Sequence, residues 1–121
     1  MFTIEEKKFP CTTSVTMRFI GGKWKAVILI HLVREAKRYN EILKKIPTIT
    51  ERTLSIQLKQ LEEDGLIKRN VYAEKPPLKV EYELTDFGKT LLPLLREMSN
   101  WGKIAAEQSG KVQDEVICET Q

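Results

Sequence analysis

Cysteine and histidine are scarce in this sequence, with two of the first and one of the second among 121 residues. Cys11 and Cys118 stand far apart, so they make neither a disulfide framework nor a zinc site, which needs further ligands. The single histidine, His31, lies inside the apolar run from Ala26 to Val33 and reads as a buried or half-buried helix residue. No second histidine or acid pair accompanies it to form a catalytic base. No apolar run approaches the ~20 residues that span a bilayer. The opening residues, Met1 to Lys8, lack the apolar stretch and cleavage pattern of a signal peptide. The expectation is therefore a cytoplasmic protein with no membrane partner. A glycine-rich phosphate loop, a metal-ligand cluster and a nucleophile–base pair are also missing, so the expectation is a non-enzyme without cofactors.

What the chain does have is an uneven charge distribution. The net charge is only +3. From Arg18 to Gln60, however, ten Lys/Arg face three acids, whereas from Leu61 onward eight Lys/Arg face twelve acids. A basic segment of this kind suits contact with a polyanion. A solvated lysine-rich surface accounts for it equally well, and charge alone leaves both readings open.

The hydrophobic pattern supplies the architecture: mainly α with a small β-hairpin. A helix opens after Pro10-Cys11, with Thr12 or Thr13 as N-cap, and Gly21-Gly22 ends it. Lys23 to Arg34 reads as a central helix, apolar nearly all round. Arg38-Tyr39 reads as a stub of strand, and Asn40 as the cap of a short helix from Glu41 to Ile46. Thr50 caps a helix from Glu51 to Asp64 that Gly65 terminates. Two strands follow, Leu66–Tyr72 and Lys79–Leu84, around a tip where Pro76 and Pro77 cannot donate to a ladder. Thr85 caps a final helix from Asp86 to about Gln108, with Pro93 expected to kink it.

The Glu51–Asp64 helix is the most informative segment. At ~100° per residue, Leu54, Leu58 and Leu61 fall on one side, while Arg52, Ile56, Lys59 and Glu63 fall opposite with Ser55 alongside. The acids Glu62, Glu63 and Asp64 crowd the C-terminal end, against the helix dipole. Stability alone does not explain them, whereas a helix whose N-terminal half approaches an anion does.

Two short helices followed at once by a hairpin make a winged helix-turn-helix, whose second helix enters the major groove of double-stranded DNA. On that reading Arg52 suits a guanine edge and Ser55 a base or phosphate, while Ile56 suits a thymine methyl. Lys44, Lys45 and Lys59 suit phosphates, with Asn40, Thr50 and Thr53 adding hydrogen bonds and the wing lysines Lys75 and Lys79 flanking the tip. The terminal helix carries a wide apolar stripe through Leu95, Met98, Trp101, Ile104 and Ala105. It either packs on its own core or pairs with the first helix, at Phe19, and with a second chain; the exposed-looking Trp101 favours a homodimer.

Several stretches resemble the HxlR family of bacterial transcriptional regulators, winged-helix relatives of the MarR proteins. They are Cys11, Ile20-Gly21-Gly22-Lys23-Trp24-Lys25, Lys37-Arg38-Tyr39-Asn40-Glu41-Ile42, Ile46-Pro47-Thr48-Ile49-Thr50, Leu58 to Ile67 and Tyr82 to Gly88. The likeness runs from about Cys11 to Gly102. The residue pattern gives a domain over residues 11–109 between a polar tail at 1–10 and a flexible tail at 110–121. The resemblance implies homodimers, joined through the first and last helices, that bind palindromic operators. Some members sense electrophiles or oxidants through a cysteine just before the first helix, the place of Cys11. A cysteine at a helix N-terminus has a lowered pKa, and its thiolate is the reactive species. An inert thiol beside the interface is the alternative. A bond from Cys11 to Cys118 of the partner subunit requires a Cα spacing of roughly 4.4–6.8 Å, which sequence does not fix. The rival to the whole reading is a winged-helix module that binds another protein and no DNA.

Overall fold

The computed structural model describes residues 1–73 and 76–110. Its elements are β1 (Phe2–Ile4), β2 (Lys7–Phe9), α1 (Thr12–Ile20), α2 (Lys25–Ile30) and α3 (Tyr39–Lys45), then α4 (Glu51–Glu63), β3 (Ile67–Val71), β4 (Val80–Leu84), α5 (Asp86–Lys89) and α6 (Leu92–Gln108). The result is mostly helical with a small antiparallel wing, β3–β4, in the register Ile67↔Leu84 to Val71↔Val80. No described helix is long and apolar enough to cross a membrane.

One core collects a residue or more from nearly every helix. Ile28 and Leu29 of α2, Ile42 of α3, Leu54, Leu58 and Leu61 of α4, Leu66, Ile67 and Leu95 are all essentially inaccessible. Burying a side chain of this size stabilises the fold by roughly 1.5–3 kcal/mol. The leucine stripe of α4 is thus buried as its spacing requires. Thr50 caps α4 by accepting from the Thr53 N–H at 3.2 Å, and Gly65 closes the far end at φ 76°, a left-handed position that glycine takes without strain.

Several elements differ from the sequence expectation. Cys11, rather than Thr12 or Thr13, occupies the N-cap of α1. The regular part of α2 stops at Ile30, and residues 31–35 continue as turns. The strand stub falls on Lys37, which exchanges backbone hydrogen bonds with Tyr82 at 2.9 and 2.8 Å. Consequently α3 starts at Tyr39, its N-cap is Arg38, and Asn40 lies inside the first turn instead of capping it. Glu41 takes over the capping work by accepting from the Arg38 N–H at 2.9 Å. Pro93 does not kink a long helix: the chain breaks into α5 and α6, and proline sits in the first turn of α6, where a missing N–H costs nothing. Residues 2–9 form a strand pair that turns through Glu5 and Glu6, both at positive φ, where no glycine or asparagine announces a turn.

His31 is buried, as its apolar neighbours imply. Lys37 is buried too, and its ammonium donates to the His31 carbonyl at 2.7 Å. A cation there completes the C-terminal end of α2, where carbonyls lack helical partners.

Gly88 is where α5 crosses the start of the wing. A Cβ added there would fall on the backbone carbonyl of Leu66, and backbone cannot swing away. Gly88→Ala is expected to cost about 1–3 kcal/mol of stability, read as a lowered midpoint in chemical denaturation.

Candidate nucleic-acid interface

With Leu54, Leu58 and Leu61 locked inward, α4 turns Arg52, Ser55, Ile56 and Lys59 to solvent. Ile56 is 43% exposed, the one apolar side chain in the middle of this face. At the head of the helix, the Thr50 hydroxyl donates to Thr53 Oγ1 at 2.9 Å while accepting the Thr53 N–H. The Thr50 proton therefore stays inside the cap, and the outward donor at this end is the Thr53 hydroxyl.

A residue absent from the sequence-derived set anchors the same face. The Tyr39 hydroxyl donates to the Glu51 carbonyl at 2.8 Å and lies 3.0 Å from Ser55 Oγ. Its ring packs against the core. Sequence reasoning passed over Tyr39 because it assigned it to a strand; the available signal was an aromatic with a polar tip directly before a polar helix start.

The acids at the end of α4 divide into two groups. Glu62 and Glu63 face solvent. Asp64 is paired: Arg18 of α1 donates to its two oxygens at 3.0 and 3.3 Å. A fork-shaped pair of this kind fixes orientation as well as charge. It answers why an acid occupies an unfavourable helix end, and it ties α1 to the foot of α4.

Around α4 the remaining basic and polar residues are dispersed over two elements. Lys44 and Lys45 are exposed in the last turn of α3, where they also complement the dipole. Asn40 and Lys79, distant in sequence, meet across an open groove of about 440 Å³ that Arg38, Glu41 and Glu81 also line. The Lys79 ammonium sits 5.9 Å from the centre of the Tyr72 ring at the base of the wing. Lys75 lies outside the described residues, as does Cys118.

A second surface is apolar. Leu94, Met98, Trp101 and Ile104 recur along α6, with Trp101 68% and Ile104 61% exposed. Met17 of α1 and Phe87 of α5 are exposed as well. Phe19 is half-buried and meets Phe87 edge to face at 5.7 Å, and Ala105 is half-buried. Leu95 is a correction to the expected set: it is 0% exposed within its own subunit and has no surface left for a partner. It points about 100° away from Leu94 around α6, toward the core, because consecutive helix residues face different directions.

Cys11 is exposed at the N-cap of α1. The Ser14 N–H faces its sulfur and is the main cause that holds the thiol pKa below its ordinary value, while the Ser14 hydroxyl donates to the Cys11 carbonyl at 2.7 Å and accepts from the Cys11 N–H at 3.3 Å.

Comparison with known proteins agrees with this geometry. The family model described as HxlR-like helix-turn-helix matches residues 19–110. An HTH-type transcriptional regulator of Bacillus subtilis (strain 168), YdeP, is 47% identical over 103 residues, covering 85% of this chain and 80% of that protein. The redox regulator HypR in its reduced form superposes with a TM-score of 0.77 at 40% identity, over 84% of this chain and all of HypR. Quinone-bound YodB from B. subtilis superposes with a TM-score of 0.63 at 28% identity, over 77% of this chain and 97% of YodB. The buried leucine stripe, the wing and the matched sequence lead to one assignment: the chain belongs to the HxlR-like helix-turn-helix family and is a winged-helix transcriptional regulator of the helix-turn-helix type.

Proposed function

We propose that this regulator binds a palindromic operator in double-stranded DNA as a cytoplasmic homodimer, and that Cys11 adjusts the binding in response to oxidants or electrophiles. The observation that carries the DNA reading is the outward face of α4. Its leucines are buried beneath, so Arg52, Ser55, Ile56 and Lys59 face solvent together, on the side a recognition helix presents to a major groove. Arg52 presents a bidentate fork to guanine, and Ile56 meets a thymine methyl. Lys44, Lys45 and Lys59, with Thr53, contact phosphates and set register. Asn40 and Lys79 approach the backbone from the groove beside the wing. Thr50 acts through the cap it makes.

Support for the homodimer comes from the α6 face. Trp101, Met98 and Ile104 leave large apolar side chains exposed at helical spacing along α6, and Met17 and Phe87 are exposed as well. A second copy covers this face and spaces the two α4 helices for successive major grooves. Residues 11–109 supply this machinery. Support for the response to oxidants or electrophiles comes from the exposed, hydrogen-bonded sulfur of Cys11, and from two similar structures being a redox regulator and a quinone-bound regulator.

Gel-shift or anisotropy titrations on the sequence upstream of the gene test the DNA reading. Binding is expected to weaken steeply as salt rises. Arg52→Ala should lose ~1–3 kcal/mol and relax sequence preference, while Lys59→Ala should weaken all sequences alike and flatten the salt slope by about one unit. Binding to a protein partner with none to any duplex would make the fold an interaction module instead. Trp101→Glu should convert a dimer to a monomer in sedimentation velocity; an unchanged dimer removes α6 from the interface. In a Cys118→Ser background, diamide should alter DNA binding, and Cys11→Ser should abolish the effect. Because the Cys11 pKa is lowered, its thiolate persists below the pH at which a free thiol protonates. The modification rate should therefore fall off at a lower pH than for free cysteine.

A further inference from the structure

The hydroxyl protons of Tyr39 and Ser55 can be counted, and the count gives Ser55 a direction. A tyrosine hydroxyl has one proton to donate. The Glu51 carbonyl, 2.8 Å from the Tyr39 oxygen, is an acceptor only, so the Tyr39 proton goes there. A carbonyl has two lone pairs and serves both the α4 ladder and Tyr39. The remaining contact, 3.0 Å between Tyr39 and Ser55, then has Ser55 as its donor and the phenol oxygen as its acceptor. Ser55 is exposed on the outer face of α4 with its one proton committed to Tyr39. Toward solvent it offers lone pairs.

We propose that Tyr39 is a specificity-determining positioning residue: by taking the Ser55 proton it makes Ser55 an obligate acceptor, so that Ser55 reads the amino group of adenine or cytosine and rejects guanine or thymine on the strand it faces. The inference rests on the DNA reading given above. Its chemistry follows from the major-groove edges, where adenine and cytosine carry donor amino groups and guanine and thymine present acceptors. An acceptor-only serine facing guanine O6 or thymine O4 has no proton to share and repels it. It is equally unsuited to phosphate, which accepts only. The preference therefore takes the form adenine or cytosine against guanine or thymine at one position in each half-site.

The test selects bound sequences from a pool of random duplex DNA with the full chain, its Tyr39→Phe variant and its Ser55→Ala variant. Wild type should favour adenine or cytosine at the Ser55-dependent position by roughly three- to tenfold, the worth of one neutral hydrogen bond. Ser55→Ala should erase that preference. Tyr39→Phe keeps the ring and frees the Ser55 proton, so guanine and thymine should become acceptable there while preferences elsewhere persist. Thermal melting of each variant reports folding. The sign of the wild-type preference and its loss in the exposed Ser55→Ala variant test the idea even where Tyr39→Phe is unstable. A Ser55-dependent preference for guanine or thymine, no position that responds to Ser55→Ala, or a Tyr39→Phe variant that weakens every sequence alike would each overturn it. A wild-type chain that enriches no sequence from the pool fails the DNA reading itself and this inference with it.

Discussion

The rotation of α4 about its own axis is the constraint on which the rest of this molecule depends. Leu54, Leu58 and Leu61 are almost wholly buried, and each contributes roughly 1.5–3 kcal/mol by leaving water. Turning the helix by one residue would expose much of that stripe and bury Lys59 and Glu62 in its place. The charges would then lose hydration without partners, which costs still more. The outward face is therefore set by the core, and the chemistry presented to a ligand follows from apolar packing rather than from any preference of the polar residues themselves.

Polar contacts at both ends hold α4 along its axis and against its neighbours. Thr50 caps the start, Tyr39 fastens the first turn to α3, and Arg18 grips Asp64 at the foot. These contacts link α4 to both α1 and α3. The helix that Cys11 caps thus reaches the foot of α4 through one ion pair, and the helix that lines the groove beside the wing reaches its head through one phenol. In a fold of this size, packed interiors shift as units rather than deform smoothly.

The apolar face follows a different logic. On α6, Leu95 turns inward while Leu94, Met98, Trp101 and Ile104 remain in solvent. One helix is asked to fill its own core and to keep a second apolar stripe outside it. The break at Thr90 and the placement of Pro93 at the start of α6 free that helix to take its own direction after α5, instead of inheriting a kinked course.

Much of this was legible in the sequence because it is local. Helical periodicity buries Leu54, Leu58 and Leu61 and exposes Arg52, Ile56 and Lys59, and Thr50 and Gly65 bound the helix, all through residues within a few positions of one another. The order of elements, two short helices followed at once by a hairpin, pointed to the winged helix for the same reason. The rest depends on residues that meet only after folding. Tyr39 and Ser55 are 16 positions apart, Arg18 and Asp64 are 46 apart, and Lys37 finds Tyr82 across the domain. Sequence alone could put Leu95 on an apolar stripe but not say which edge of that stripe the core would claim. That choice is made by how α6 lies against α2, because burial is a property of two surfaces together and a single helix carries only one of them.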